Sequence, residues 1–144
     1  MSKLVYMESP FAGEVGLNIE YARACLADSL SKGESPFASH LLYTQEGVLD
    51  DLIPEERMKG INAGFDFAAV CELSAFYTDL GISGGMKLGV ESAEKAGREI
   101  EYRSLPNAHY FIEKKINLMI KKNIPPWWKF WKWTLFSSLP YNQR

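Results

Sequence analysis

Several familiar signatures are missing from this 144-residue sequence, and each absence argues against a class of protein. There are only two cysteines, Cys25 and Cys71, and neither has a partner at the spacing of a metal or redox site. Neither a GxGxxG nor a Walker A pattern is present, which argues against the usual dinucleotide-binding fold and against a P-loop NTPase. The formal net charge of -2 argues against a general attraction to DNA or RNA. We therefore expect no metal, no cofactor and no nucleic-acid partner.

Long apolar runs are missing as well. Residues 1–20 contain Lys3, Glu8 and Glu14 and no apolar run of signal-peptide length, so a secretory route is not supported. Cys25 and Cys71 fall in apolar segments and are expected to be buried thiols in a reducing compartment. A cytoplasmic location follows.

The composition is that of an ordinary globular protein, with 47% hydrophobic and 24% charged residues. A chain of this length can build one compact core but not two. We predict one domain over residues 1–105, followed by a C-terminal helix and a Trp-rich tail over residues 106–144.

Short apolar segments alternate with helical patterns along the predicted domain. The predicted strands are 3–7, 36–42, 69–77 and 99–103, and the predicted helices start near Asn18, at Pro54 and at Gly85. Strands separated by helices indicate right-handed crossovers, so we predict the α/β class with a Rossmann-like open, mostly parallel sheet flanked by helices. Such sheets bind ligands beyond the carboxyl ends of their strands. The loops 8–13, 39–51 and 78–86 are expected to converge there on one pocket.

The segment from Gly81 to Glu91 indicates a strand-to-helix turn that could hold a ligand. Gly84 and Gly85 allow close backbone approach, while Ser83 could either cap the helix or touch a phosphate. The free amides of a helix N-terminus favour anions, so the pattern is compatible with a phosphorylated ligand.

Together with the blocks 6–13 (YMESPFAG) and 36–43 (PFASHLLY), this turn resembles the nucleoside 2-deoxyribosyltransferase-like family, in particular its small, often phage-encoded branch. The resemblance covers roughly residues 3–103 and not the tail. In that family the turn usually runs Ser-x-Gly-Met-x-x-Glu, and the Glu is the nucleophile that attacks the anomeric carbon of a nucleoside. Aligned through Ser83, Gly85 and Met86, that position is Gly89, which has no side chain with which to attack.

Glu91 is not expected to replace the missing nucleophile. Two residues along a helix correspond to a rotation of about 200°, so its side chain should point away from the site. Lys87, Glu91 and Lys95 stand at the i, i+4 spacing that is typical of a solvated helix face.

Glu8 is the remaining acid of most interest, because relatives typically carry a small residue at its position. It could bind ribose hydroxyls or replace the lost nucleophile; the alternative is a loop carboxylate that points to solvent or caps a helix. Tyr6 should lie on the same side of the strand. In the family this tyrosine helps to position the ligand, although a strand tyrosine is as often part of the core.

Other predicted contact residues lie after the second predicted strand and at the start of the second predicted helix. His40 could hydrogen-bond a phosphate or a base, or be structural. Asp50 and Asp51 could hold a base edge or ribose, or bond to nearby backbone amides in the loop. Arg57 could meet a phosphate or lie on a solvated helix face. The full set of predicted ligand-binding residues, with Glu8 as the catalytic candidate, is Tyr6, Glu8, Ser9, Pro10, Phe11, His40, Tyr43, Asp50, Asp51, Arg57, Ser83, Gly84, Gly85, Met86 and Gly89.

The C-terminal region indicates an amphipathic helix over residues 107–122, followed by Pro125 and Pro126 and the aromatic segment 127–133 (WWKFWKW). The predicted apolar stripe is Phe111, Ile112, Ile116, Met119 and Ile120. The aromatic segment is too short and too charged to span a bilayer. We expect it to form a homo-oligomer interface, with packing on its own domain as the second option and membrane contact as the last. In the family a neighbouring subunit commonly helps to close the pocket.

The resemblance and the lost nucleophile together imply a protein that binds a nucleotide or a nucleotide-derived signalling molecule without turning it over. If the chain is phage-encoded, it would act in the host cytoplasm by sequestering a host signal. The rival interpretation is an active nucleotide N-glycosidase or deoxyribosyltransferase that uses Glu8 or a loop Asp. A third treats the domain as a scaffold and the tail as the working part in a protein or membrane contact.

Overall fold

A computed structural model describes residues 1–124 of the chain. The elements in chain order are β1 (Leu4–Glu8), α1 (Val15–Ser31), β2 (Ser35–Phe37), α2 (Ser39–Leu42), α3 (Pro54–Ala68), β3 (Leu73–Tyr77), α4 (Gly84–Lys95), β4 (Glu99–Arg103) and α5 (Ala108–Asn123). The strands form one four-stranded sheet in the order β2-β1-β3-β4, and every pairing within it is parallel. The predicted α/β class is confirmed, and the sheet is all parallel rather than mostly parallel.

The two faces of β1 serve different purposes. Val5 and Met7 are fully buried and belong to the core that also contains Tyr21 of α1 and Phe111 of α5. Because side chains alternate along a strand, Tyr6 and Glu8 point to the opposite face. There they meet α3 and α4, and this second face forms the floor of the site described below.

The first turns of α1 hold the loop that follows β1. α1 begins at Val15, three residues before the predicted start near Asn18. The Asn18 side-chain amide donates hydrogen bonds to the carbonyls of Phe11 (2.8 Å) and Ala12 (3.0 Å). These bonds fix the position of a loop that has no regular structure of its own.

The predicted strand 36–42 is correct only at its start. β2 is Ser35–Phe37, and the chain then turns at Ala38, whose carbonyl accepts from the amides of Leu41 and Leu42 at 3.2 Å. Residues 39–42 therefore form the short helix α2, because local backbone bonds replace further pairing with β1. His40 lies on this helix and not at the end of a strand.

The predicted strand 69–77 begins too early, since β3 is Leu73–Tyr77. The amides of Ala69, Val70 and Cys71 donate to carbonyls in the last turn of α3 and so complete that helix. Cys71 is consequently a half-buried residue of this turn and not a buried strand thiol, whereas Cys25 is buried on α1 as expected.

The other predicted boundaries agree with the structure to within a residue. α3 begins at Pro54 with Glu55 and Glu56 in its first turn, where the free amides and the helix dipole favour negative charge. β4 is Glu99–Arg103, as predicted, and α4 begins at Gly84.

α5 confirms the predicted C-terminal helix but uses little of the predicted stripe. Phe111 is 3% exposed and packs edge to face on Tyr21 with ring centroids 5.3 Å apart. The remaining residues of the stripe are 39% to 55% exposed: Ile112, Ile116, Met119 and Ile120. The Trp-rich segment 127–133 lies outside the described residues. None of the described helices has the length and apolarity needed to cross a membrane.

Candidate functional site

The candidate site lies where the strand order reverses. β2 lies on one side of β1, and β3 lies on the other. The loops that follow β1 and β3 therefore run in opposite directions and leave a crevice between them at the carboxyl ends of the strands. A solvent-open cleft of about 510 Å³ occupies this crevice. Its lining residues are Tyr6, Glu8, Ser9, Phe11, Ala12, Ser39, His40, Asp51, Arg57, Ile61, Phe65, Ser83, Gly85 and Met86.

Glu8 occupies the space that a side chain at position 89 would need. A Cβ built on Gly89 would lie 1.9 Å from Oε1 of Glu8 and 2.4 Å from its Cδ and Oε2. No pair of non-bonded atoms tolerates such distances, so the Glu8 carboxyl and a side chain at position 89 exclude each other in this arrangement. The carboxyl group at this point of the cleft comes from the end of β1.

The Glu8 carboxyl is buried at the end of β1. The residue is 8% exposed, and within the described part of the chain its Oε1 has no partner at all. Loss of hydration disfavours the charged form and raises the pKa of Glu8 to about 8, while the positive charge of Arg98 acts weakly in the opposite direction. At pH 7 the group is therefore mostly a neutral carboxylic acid, which can donate one hydrogen bond and accept others.

Tyr6 contributes a second polar group, and a close approach of α3 holds it in place. The Tyr6 hydroxyl and the Ser39 hydroxyl are 2.7 Å apart and buried. A Cβ built on Gly64 would lie 2.4 Å from the Tyr6 hydroxyl and 2.6 Å from Oγ of Ser39. Only a glycine at position 64 lets α3 pass this close over the hydroxyl pair.

Ser9 and His40 form a further pair at the edge of the cleft. Oγ of Ser9 lies 2.8 Å from Nε2 of His40. Although part of His40 remains exposed, burial of the ring lowers the pKa of His40 to about 4. The imidazole is therefore neutral at pH 7 and offers a neutral hydrogen bond rather than a positive charge.

Among the described residues that line the cleft there is one arginine, Arg57, and it lies beside the start of α4. Arg57 donates from Nη1 to Oδ2 of Asp51 at 2.7 Å, and both side chains are partly exposed. Its Nη2 lies 3.7 Å from the point where a Cβ on Gly85 would be. The guanidinium group and the first amides of α4 thus border the same corner of the cleft, and both favour an anion.

Ser83 acts as the N-cap of α4. Its hydroxyl accepts from the Met86 amide at 3.3 Å, and its own amide lies 3.4 Å from the Met86 sulfur. Met86 is 1% exposed, so the cap is tied to the core. Of the two roles expected for Ser83, the capping role is the one that its contacts display.

Glu91 is exposed on α4 and does not line the cleft, in agreement with the helical rotation. Lys87 and Lys95 are exposed as well, and no ion pair joins either to Glu91 within the described residues.

Five predicted residues do not line this cleft. Pro10 is buried, Gly84 is exposed, and Gly89 is buried beneath the Glu8 carboxyl. Tyr43 lines a neighbouring hollow between α2 and α3, and Asp50 lines a groove on the outer side of the loop 44–52.

Sequence reasoning missed four lining residues: Ala12, Ser39, Ile61 and Phe65. Two of them carried a usable signal, because Arg57, Ile61 and Phe65 stand at i, i+4 and i+8 and therefore share one face of α3. Ser39 gave no such signal, since its pairing with Tyr6 depends on the approach of α2 to β1.

The arrangement combines a neutral buried carboxyl, the hydroxyl pair of Tyr6 and Ser39, the Ser9 hydroxyl beside a neutral imidazole, and an anion-favouring corner. Within residues 1–124 there is no group of three or more His, Cys, Asp or Glu side chains that could hold a metal ion. The site offers hydrogen bonds to a polar ligand and one place for negative charge.

A protein-family model described as "Domain of unknown function (DUF7768)" matches residues 3–103, so the chain belongs to this family. No curated protein matches the chain. A solved structure of the 2-deoxyribosyltransferase from the psychrotolerant bacterium Bacillus psychrosaccharolyticus is similar, with a TM-score of 0.48 and 16% sequence identity over 70% of this chain and 72% of that chain. A likeness at this level assigns neither ligand nor activity.

Proposed function

We propose that this member of the DUF7768 family binds a nucleotide-type ligand in the cleft between β1 and β3 and does not turn it over. One observation carries the proposal: the neutral Glu8 carboxyl fills the space above Gly89, which is the position that the resemblance aligns with the nucleophile of deoxyribosyltransferase-like enzymes.

The state of Glu8 favours binding over nucleophilic attack. A carboxyl nucleophile must be ionised, and with a pKa of about 8 only about a tenth of the Glu8 groups are ionised at pH 7. A neutral carboxyl presents a donor and an acceptor, which matches the two adjacent hydroxyls of a ribose. The ligand would supply the hydrogen bond that Oε1 lacks within the described residues.

The opposite corner of the cleft suits a phosphate. Arg57 and the amides at the start of α4 converge there, and Arg57 can turn from Asp51 toward a bound anion because both side chains are partly exposed. The ligand class is therefore a phosphorylated nucleoside with a free ribose edge. Nucleotide-derived signalling molecules fall within it, and sequestration of such a signal would suit a phage-encoded protein.

The test is to incubate the purified full chain with a panel of linear and cyclic nucleotides, remove unbound material, and release the ligand by heat. Intact ligand should be recovered by mass spectrometry, with Glu8→Ala recovering less, because it removes the donor and the acceptor, and the exposed control Glu91→Ala recovering as much as the unaltered protein. Binding should weaken above pH 8, because Glu8 then loses the proton that it donates. Recovery of free base from the unaltered protein would refute binding without turnover.

A second function, cleavage of the N-glycosidic bond, is favoured by the position of Glu8 itself. The carboxyl lies where the Cβ of a side chain at position 89 would be. A carboxyl with a raised pKa is also suited to act as a general acid. In this reaction the bond between C1′ and the base nitrogen breaks, the base nitrogen takes the Glu8 proton, and water adds to C1′. The proton that this water releases returns Glu8 to its neutral form.

Two variants separate the functions. Glu8→Gln should abolish base release if Glu8 is the acid, because an amide cannot supply the proton. If the protein is a receptor, the variant should still bind the ligand, because the amide also presents a donor and an acceptor. The double variant Glu8→Ala with Gly89→Glu removes the obstructing carboxyl and places an acid on α4, as in the resembled enzymes. Base release by this double variant but not by the unaltered chain would support a nucleoside cleft that has lost its nucleophile.

A further inference from the structure

A second concave surface borders the cleft and has a different chemistry. This outer groove runs between the loop 11–15 and the loop 44–52, with Glu56 of α3 at its end. It shares Phe11, Ala12 and Asp51 with the cleft, so whatever fills the groove also borders the mouth of the cleft.

The groove is both apolar and acidic. Val15, Val48 and Leu52 line it and are 39%, 52% and 90% exposed. Four carboxylates also line it, namely Glu46, Asp50, Asp51 and Glu56, and its described lining contains no lysine, arginine or histidine. Asp51 is already paired with Arg57, whereas the other three carboxylates have no ion pair within residues 1–124. The groove therefore favours an occupant that covers apolar side chains and carries positive charge over one that carries a phosphate group.

The C-terminal end of α5 lies directly beside this groove. Lys122, in the last turn of α5, forms an ion pair with Glu14, and the neighbours of Glu14 in the chain, Gly13 and Val15, belong to the wall of the groove. The next residues of the chain thus start at the rim. Ten residues separate Asn123 from Trp133 in the sequence, and an extended chain of that length reaches roughly 33 Å.

The sequence that follows has the composition that the groove requires. Residues 127–133 contain four tryptophans and one phenylalanine together with Lys129 and Lys132, and no acidic residue. Each tryptophan has roughly 150–250 Å² of surface to bury. We propose that residues 127–133 bind in the outer groove of the same chain, with the indole rings on Val48 and Leu52 and the lysines beside the carboxylates.

The tryptophans themselves provide the measurement, because all four of the protein lie in this segment. Selective excitation of tryptophan in the full chain should give blue-shifted emission that acrylamide quenches weakly. Leu52→Asp should shift the emission to longer wavelength and increase quenching, because it places a charge under the rings. The side chain is so exposed that this change costs the fold little. Glu46→Lys, on the same exposed loop, should act in the same direction through charge repulsion.

Val70→Asp is the matched control. Val70 is 67% exposed, but it lies just before β3, at the amino-terminal ends of the strands and not at their carboxyl ends. It should leave the emission and the quenching unchanged. Equal quenching in Leu52→Asp, Val70→Asp and the unaltered chain would overturn the proposal. A response of the tryptophan emission to Ile116→Asp alone would also overturn it, because the segment would then pack on the exposed face of α5. The same holds if a dimer and the protection of the tryptophans from acrylamide disappear together on dilution, because the segment would then bind a second copy of the chain.

Discussion

Replacement of Glu8 by Gln tests the central electrostatic claim, because it keeps the shape of the side chain and removes its ionisation. Glu8 is a buried carboxyl whose pKa is raised to about 8 by loss of hydration. If that is correct, the stability of the protein carries a pH dependence that the Gln variant lacks.

The sign and size of this pH dependence follow from the difference between the pKa values of Glu8 in the folded and unfolded chain. Below pH 4.5 the carboxyl is protonated in both the folded and the unfolded chain. Between pH 4.5 and about 8 the unfolded chain releases this proton while the folded protein keeps it, so the contribution of Glu8 to stability falls as the pH rises. The difference between the two pKa values corresponds to a loss of about 4 kcal/mol by pH 8.

The assay is urea unfolding of the unaltered protein and of Glu8→Gln at a series of pH values from 4 to 9. At each pH the free energy of unfolding of the unaltered protein is subtracted from that of the variant. The buried amide of Gln adds a cost that does not depend on pH, so the informative quantity is the change in this difference. It should rise by about 4 kcal/mol between pH 4.5 and 8 and then level off.

Two comparisons separate the effect of Glu8 from that of other titrating groups. His40 titrates in the opposite sense: burial lowers its pKa to about 4, so its contribution is present above pH 6.5 and is lost as the pH falls toward 4. That contribution is common to both proteins and cancels in the subtraction. Glu91→Gln, at an exposed position of α4, should retain the pH dependence of the unaltered protein. A difference between Glu8→Gln and the unaltered protein that stays flat from pH 4 to 9 would mean that Glu8 is ionised in the folded state, and the argument for a neutral ligand-binding acid would fail.

Three further predictions concern packing around the site. Gly89→Ala should push the Glu8 carboxyl into the open cleft, since the new Cβ would overlap it; the pH dependence of stability should then shrink in urea unfolding, and ligand recovery should fall. Gly64→Ala should destabilise the protein by about 1–3 kcal/mol in thermal or urea unfolding, because its Cβ meets the Tyr6 hydroxyl. Gly60→Ala on the same helix meets Leu49 Cδ1 at 3.3 Å and Tyr43 Cβ at an ordinary 3.7 Å and should cost clearly less; equal costs would argue against the close approach. Phe111→Ala should cost about 3–5 kcal/mol, and a loss below about 1 kcal/mol would mean that α5 is not part of the core.

Much of the fold was predictable because its determinants are local. Pro54 with two following acids marked the start of α3, and Ser83 before the glycines marked the start of α4, because capping and dipole effects act within one helical turn. The end of β2 and the start of β3 were not predictable in the same way. The residues at 39–42 (SHLL) and 69–72 (AVCE) suit a strand as well as a helix, and only the backbone bonds to Ala38 and to the last turn of α3 decide between them.

The sequence by itself determined that the chain is α/β, that three loops meet at the carboxyl edge of the sheet, and that position 89 carries no acid. These conclusions depend on periodicity, capping and residue identity, which are readable along the chain. Only the tertiary structure decided that the Glu8 carboxyl occupies the space above Gly89, that burial keeps it protonated, and that α5 turns most of its apolar stripe outward. Those facts depend on which distant surfaces come within a few ångströms of one another, and no local pattern encodes that.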